Sequence, residues 1–480
     1  MVHIHPTLTI KYILSIVAFG VMVYFITSCI QTYLVYPTQT RVSIRLNRSQ
    51  LFPAVTICSG NPLRYDKYLI PLISYIKTHN LSSSPPNITQ NDIYNSAFNL
   101  MIDLINKNKF EETFSYGFQL EDILLDCTYN GYNCRSMWIK TLSPILGNCY
   151  TFNRQTIDKN TNLFQINQIN GNVQTLHNGL IMTFYLNIEL YFPIIEYGLG
   201  LTAILHHPNE QPLIRYAGKR FSPGFEHTLV YEKSLTTYLG SPYTLCTQII
   251  TDDMKALYNL FDNNTEYVYS ETVCLELCQQ AFMYEQCECI YPIYFYLNYL
   301  NINGQLRRVR ICTPWTSEYR CTIEARNRIA NNPNLLQTRC PHCQSQCIIH
   351  KYSSDLSSLK GPSDSQKNYY KKLILSNSTI PIKSDFSMNS SYYLDRNYLK
   401  LSVIPLNSYE TIYEEKATYI WSAFISDLGG QSGLWLGISA LSIFNLIEYL
   451  HRKSQIIRLK RKAMAQVHPC ETESISNNKY

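Results

Sequence analysis

The chain has 480 residues, with 16 cysteines, 13% aromatic and only 16% charged side chains. That length allows a large buried core and two or three domains. Its 41 basic and 35 acidic residues leave a net charge of +6, too small an excess to imply a nucleic-acid partner.

From Tyr12 to Thr40 there is no charged side chain, and Tyr12–Val35 is mostly apolar. The run reaches the roughly 20 residues that cross a bilayer and outlasts the h-region of a secretory signal. "ITSCIQTYLVY" also offers no small-residue cleavage site. A membrane helix over residues 11–36 is expected in preference to a cleaved signal, with residues 1–10 before it on the cytoplasmic side. Residues 37–420 are expected outside the cell. All six N-x-[S/T] sequons fall there, at Asn47, Asn80, Asn87, Asn263, Asn377 and Asn389. So do 14 of the cysteines, an even number between Cys58 and Cys347. Cys29 belongs to the first helix and Cys470 to the C-terminal tail, where thiols stay reduced.

Within the outer segment, Cys127 and Cys134 bracket "TYNGYN", a tight Asn-Gly turn that brings two strands together. Further on, Cys246, Cys274, Cys278, Cys287 and Cys289 are answered by Cys312, Cys321, Cys340, Cys343 and Cys347. The two sets roughly mirror each other, as in a ladder of nested bridges. "CPHC" at Cys340–Cys343, with His342 between, also fits a redox pair or half of a zinc site. An even, paired set in an oxidising compartment favours disulfides, although spacing leaves their connectivity open.

Strands are expected in Gly179–Phe192 and Leu399–Leu406, from their β-branched and aromatic content. Helices are expected over Gln90–Lys107, Asp252–Phe261 and Thr272–Cys287, from apolar spacings of three and four. Polar Ser353–Lys372, with its Gly-Pro, reads as a surface loop. His206 and His207 read as surface residues. No zinc-protease, nucleophile-elbow, phosphate-loop or calcium-loop motif is present, so nothing argues for an enzyme.

A second uncharged run, Leu428–Ile447, precedes "HRKSQIIRLKRK", whose six Lys/Arg mark a cytoplasmic end. A membrane helix is therefore expected over residues 421–450, with a basic cytoplasmic tail over 451–480. Gly429, Gly430, Gly433 and Gly437 stand where a simple anchor carries larger side chains. Small residues suit either a helix-dimer face or a helix that lines a water-filled path. On a continuous helix Ser432, Ser439 and Ser442 project within roughly 80° of one another, making a polar stripe. Acidic Asp427 and Glu448 at its two ends favour a cation path built by several subunits.

The stretch "FISDLGGQSGLWLGISALSIFNLIEYL" resembles the second membrane helix of the degenerin/epithelial sodium channel/acid-sensing channel family. "FPAVTIC" (Phe52–Cys58), "GNCYTFN" (Gly147–Asn153), "SPGFE" (Ser222–Glu226) and "YETIYEEKATY" (Tyr409–Tyr419) are similar to its other motifs, in order, over nearly the whole chain. The resemblance implies an α+β membrane protein. Two transmembrane helices would flank a disulfide-rich extracellular domain with a β-rich palm and β-ball and a helical finger, knuckle and thumb, three subunits forming one channel. It implies the pairings Cys58–Cys149, Cys127–Cys134, Cys246–Cys347, Cys274–Cys343, Cys278–Cys340, Cys287–Cys321 and Cys289–Cys312. It also implies a selectivity filter at Gly437-Ile438-Ser439, where the helix gives way to an extended belt. Asp427, Gly430, Ser432, Ser442, Asn445 and Glu448 would lie along the vestibule and pore. Ser426 matches the position where bulky side chains hold the gate open. Tyr36 and Tyr243 match an aromatic pair that carries ectodomain motion to the gate. The expected function is a sodium-preferring channel at the plasma membrane, homotrimeric or heterotrimeric, with both termini cytoplasmic and no cofactor beyond the permeating ion. The expected trigger is an extracellular ligand or a mechanical force.

The chain departs from that pattern in three places. Residues 1–10 carry "HIHPTL" without the family's His-Gly pair, so either the N-terminus is incomplete or this subunit gates differently. Asn445 stands where many relatives carry a glutamate, which weakens cation attraction. Asn209 replaces one carboxylate of the proton-sensing pocket, beside Glu210, and Thr322–Arg339 contains only Glu324, so proton gating by that pocket is not expected. An ATP-gated channel lacks this cysteine pattern. A membrane-anchored receptor or adhesion domain that conducts nothing leaves Asp427 and the serines without a purpose.

Overall fold

The computed structural model describes residues 6–46, 49–85, 87–155, 165–167, 179–193, 198–260 and 267–466. Asn47, Asn263 and Cys470 lie outside the described residues. The chain divides into two compact units, Thr40–Glu415, and Met1–Gln39 together with Lys416–Tyr480.

The larger unit is built on two sheets. In the first, of seven strands, Phe225–Thr237 runs between Ile348–Lys360, antiparallel to it, and Tyr398–Ala417, parallel to it. Leu180–Tyr185 and Leu124–Tyr129 extend the sheet beyond Tyr398–Ala417. The second sheet has five strands, with Ala54–Ser59 at its centre between Leu201–His206 and Gly147–Phe152. Ala54–Ser59 is buried along its whole length, which explains why "AVTICS" reads as an unbroken low-polarity run rather than an alternating one. One core joins the sheets: Phe52, Val55, Ile57 and Phe152 pack with Met182, Phe184, Leu229, Tyr231 and Leu401. Phe52 and Phe152 are fully buried, and Phe52 meets Tyr129, Phe152 and Tyr231 edge-on.

Helices surround this core. Gln90–Asn106 begins at a reciprocal cap in which Thr89 and Asp92 bond each other's backbone, and it packs on Tyr65–Thr78 through Tyr68, Leu72, Ala97 and Leu104. Glu271–Cys287 packs against Ser317–Ala330 through Phe282, Met283, Ala325 and Ile329. Asp252–Tyr258 closes the other side of Glu271–Cys287 through Met254 and Leu257.

The structure contains the seven disulfides Cys58–Cys149, Cys127–Cys134, Cys246–Cys347, Cys274–Cys343, Cys278–Cys340, Cys287–Cys321 and Cys289–Cys312. Asn130 and Gly131 both take positive φ, 49° and 84°, forming the tight turn between Cys127 and Cys134. Cys274, His342 and Cys343 do lie together, but both sulfurs are spent in one disulfide. A zinc site needs free thiolates, so that alternative falls. Cys29 is a free, half-buried thiol of the first helix.

Three expectations need correction. Ser353–Lys372 is not a loop: it contains the end of the strand Ile348–Lys360 and the start of the helix Asp364–Ser376. The strand is an edge whose 13 residues all pair with Phe225–Thr237, so backbone bonds carry it and its exposed face tolerates serine. The helix starts at a Ser363/Gln366 capping box. Gly179–Phe192 is a strand only over Leu180–Tyr185. Asn187, at φ 51°, then turns the chain into a short 3-10 helix, where Asn397 Oδ1 accepts the Ile188 N–H at 2.7 Å. His206 is not a surface residue: it is 5% exposed and hydrogen-bonds Thr56 Oγ1 through Nε2 at 2.8 Å.

Of the described sequons, Asn80, Asn87 and Asn389 are exposed and Asn377 is half-buried.

Candidate functional site

In the smaller unit the helix Pro6–Leu34 contains a stretch, Ile10–Leu34, long and apolar enough to cross a membrane. Ile13, Leu14, Ile16 and Phe19 are all more than half exposed, as lipid-facing residues are. The second uncharged run is not one straight helix. Trp421–Leu436 and Ala440–Gln466 are separate helices, and the pair is bent by 83° at the break.

An aromatic seam packs the first helix against Trp421–Leu436. Phe25 stacks on Trp435 with ring centroids 6.3 Å apart, and Tyr33 stacks on Phe424 at 4.7 Å. Tyr33 also meets Tyr419 and Trp421 edge-on. Next to the seam, at the residues adjoining the larger unit in sequence, Thr418 N–H donates to the Pro37 carbonyl at 2.8 Å. Sequence reasoning missed this seam, although its signal is visible as aromatic residues recurring along both segments.

Phe424, Leu428, Gln431, Ser432 and Trp435 are half-buried, whereas Ser426, Asp427, Gly429 and Gly430 are exposed. A Cβ added at Gly429 or Gly430 would meet nothing within 4 Å, so no contact inside the chain requires glycine at either position. Asp427, in the second turn of Trp421–Leu436, accepts a hydrogen bond from the Tyr419 hydroxyl at 2.6 Å, which ties its carboxylate to the residue before the helix cap.

The break itself is built by Gly437. Its φ of +65° is left-handed, and its N–H closes the helix on the Gly433 carbonyl at 3.0 Å. Ile438 N–H reaches back to the Ser432 carbonyl at 3.3 Å. The next helix then opens at Ser439, whose Oγ accepts the Ser442 N–H at 3.3 Å while its carbonyl accepts Ile443 N–H at 3.2 Å. Ser439 and Ser442 hydroxyls also bond each other at 3.1 Å. Among the described residues, nothing donates to the carbonyl oxygens of Gly437 and Ile438.

This break corrects the expected serine stripe. Helical phase does not carry across Gly437, and Ser432 instead donates to the Leu428 carbonyl at 2.7 Å. Asn445 and Glu448 lie exposed on the second helix, where Glu448 pairs with Arg452 one turn on. Tyr36, at φ 51°, ends the first helix of the smaller unit. Tyr243 sits in a turn of the larger unit, its N–H bonded to the Gly240 carbonyl at 3.0 Å.

A second group of titratable side chains lies within the larger unit. His207 stacks on His350 with centroids 3.9 Å apart, and its Nδ1 bonds Asn209 Oδ1. Lys233 and Glu410 form a buried ion pair at 3.0 Å. Glu210, Asn209 and His350 line a cavity of about 200 Å³. Burial raises the Glu210 carboxyl to about 7 and lowers His206 and His350 to about 4 and about 3.

These shifts act oppositely on stability. Between its ordinary value of 4.5 and about 7, the folded chain keeps a proton on Glu210 that the unfolded chain has lost. Its contribution is therefore present at low pH and lost as pH rises through that window. The two histidines bind protons more readily when unfolded, so their contribution is lost as pH falls below 6.5. Glu210→Gln removes the offset. The melting temperature of the variant is expected to drop further between pH 7 and pH 5 than that of the unsubstituted chain; equal drops in thermal-unfolding scans would refute the assignment.

An apolar N-terminal helix, a disulfide-laced β domain and a glycine-broken C-terminal helix match the plan of a membrane channel subunit. The chain belongs to the amiloride-sensitive sodium channel family, whose model matches residues 12–449. It is thus a sodium-channel subunit, and its disulfide-rich unit is the extracellular domain. Acid-sensing ion channel 4-B of Danio rerio is 27% identical over 465 residues, covering 94% of this chain and 72% of that protein. Acid-sensing ion channel 1C of Danio rerio is 25% identical, with 90% and 76% covered. Acid-sensing ion channel 2 of Homo sapiens is also 25% identical, with 94% and 83% covered.

Proposed function

We propose that the chain is one subunit of a trimeric, sodium-preferring channel of the plasma membrane. It crosses the bilayer twice, with both termini cytoplasmic, and assembles with copies of itself or related subunits. The observation that carries this reading is the pair of undonated carbonyls at Gly437 and Ile438, within a run that has no charged side chain. Free backbone at membrane depth is tolerated only where it is buried in protein or lines water. One such segment cannot enclose a path, so several copies contribute one each.

In that ring the carbonyls of Gly437 and Ile438 and the Ser439 hydroxyl replace part of the sodium ion's water. The hydroxyl keeps acceptor capacity beside its bond to Ser442. Asp427 concentrates cations at the outer mouth, and Gly430 leaves room for close approach of a neighbouring subunit. Ser432, Ser442, Asn445 and Glu448 continue the path. The neutral Asn445 makes sodium preference weaker than a carboxylate would. Sodium is the permeant ion, and no resident cofactor is invoked. The extracellular domain gates the pore in response to a ligand or force, with Tyr36 and Tyr243 assigned to transmission on the resemblance alone.

The test is whole-cell current from Ser426→Cys, expressed alone and modified with a bulky thiol reagent. Ser426 is exposed on the helix that leads to the break, so the reagent can reach it, and the family resemblance assigns to a bulky side chain there the holding open of the gate. A sustained cation-selective current is expected. Silence with protein verified at the cell surface would overturn conduction by this chain alone.

A further inference from the structure

We propose that the extracellular domain binds a sulfated glycosaminoglycan through an arginine-lined groove beside the hairpin Tyr299–Arg308. The proposal does not depend on how the channel gates. The hairpin pairs Tyr299–Ile302 with Gln305–Arg308 across a turn in which Asn303 and Gly304 take φ of 51° and 81°. Leu300 and Ile302 bury one strand in the domain core, which leaves Gln305–Arg308 exposed at all four positions. The sequence there is L-R-R-V-R, and Arg307, Arg308 and Arg310 line a single open groove of about 860 Å³.

Charge is concentrated in this part of the chain. Residues Gln305–Arg339 contain seven arginines, no lysine, no aspartate and two glutamates, which is most of the net charge of +6. Neighbouring carboxylates are largely occupied. Glu318 takes two bonds from Arg310, at 2.8 and 2.9 Å, and Glu285 pairs with Arg339 at 3.0 Å. Glu288 is the other carboxylate lining the groove. Among the described residues, Arg307, Arg308 and Arg320 meet no carboxylate. Arg307 touches only Gln305, at 3.4 Å.

The choice of arginine matters. A guanidinium offers a fixed planar fork that binds a sulfate or carboxylate through two bonds at once, whereas an ammonium is a single point charge. Two such forks side by side at Arg307 and Arg308, with the charge of Arg310 shared with Glu318 beside them, suit a sulfated chain that runs along the strand. The groove favours a glycan over an acidic protein because it is walled mainly by charged and amide side chains. Its apolar lining is limited to Tyr284, Ile302 and Val309, a small floor compared with the aromatic and aliphatic centre on which protein partners anchor.

The experiment measures binding of fluorescent heparin to intact cells expressing the full chain, scaled to surface-biotinylated protein. The unsubstituted chain is expected to bind heparin with an affinity that falls steeply with salt. Arg307→Gln/Arg308→Gln is expected to weaken binding about ten-fold, since two exposed charge-assisted contacts together supply about 1.4 kcal/mol. Chemically desulfated heparin should not compete. Arg320→Gln, outside the groove, should change affinity less than the double variant. Heparin binding that is absent, or unaltered in the double variant at equal surface level, would overturn the proposal. Equal competition by polyglutamate would overturn it in favour of an acidic peptide.

Discussion

Gly437→Val is expected to abolish the channel's current while the protein still reaches the cell surface. At φ +65° a side chain costs about 1–2 kcal/mol, and a β-branched one is the least tolerated. The chain can relieve that strain by leaving the left-handed turn. Doing so moves the carbonyls of Gly437 and Ile438 and removes the residue spacing that lets Ser439 cap the following helix. The expected order is graded: Gly437→Asn, which accepts this conformation, retains more current than Gly437→Ala, and Gly437→Val retains none. Gly20→Ala in the first helix serves as the control. An added Cβ there meets nothing within 4 Å, and alanine favours helix by about 1 kcal/mol, so its current should persist. Wild-type current from Gly437→Val, recorded with a constitutively opened gate, would remove the break from the conduction path.

The second large effect concerns folding of the extracellular domain. Cys58 and Cys149 face each other on the central strand of the five-stranded sheet and its neighbour, both buried and 91 positions apart in sequence. Closing so long a loop restricts the unfolded chain by about 4–5 kcal/mol in the chain-entropy account. The Cys127–Cys134 bridge, with a separation of 7, closes a hairpin already set by Asn130 and Gly131 and contributes about 2–3 kcal/mol. Cys58→Ser/Cys149→Ser is therefore expected to lose nearly all surface protein, while Cys127→Ser/Cys134→Ser keeps a substantial fraction. Paired replacement avoids leaving a reactive thiol in either case. Surface biotinylation at matched expression distinguishes the two. The reverse order would show that sheet pairing, not loop closure, limits assembly.

Several features were legible in the sequence because they depend on neighbours in the chain. The uncharged run at Tyr12–Val35, the Asn-Gly turn and the helices Gln90–Asn106 and Glu271–Cys287 follow from length, φ preference and apolar spacing. The break at Gly437 was implied by the family resemblance alone, since composition offered four glycines in the run and did not single out the one that takes positive φ. The nested order of the later cysteines was visible too, although the pairs themselves came from the family resemblance and not from spacing.

What the tertiary structure alone decided depends on partners distant in sequence. Ser353–Lys360 is polar enough to read as a loop and becomes part of the strand Ile348–Lys360 because Phe225–Thr237 supplies a complete edge to pair with. His206 is buried because Leu201–His206 runs beside Ala54–Ser59, which brings Thr56 to its ring 150 positions away in the chain. Glu210 is forced towards neutrality by burial at a cavity that His350 closes from another strand. The arginines of Gln305–Arg308 form a groove only once Leu300 and Ile302 are packed inside. Local propensity acts over a few residues, whereas burial and pairing are set by which segments meet, and that information exists only in the folded chain.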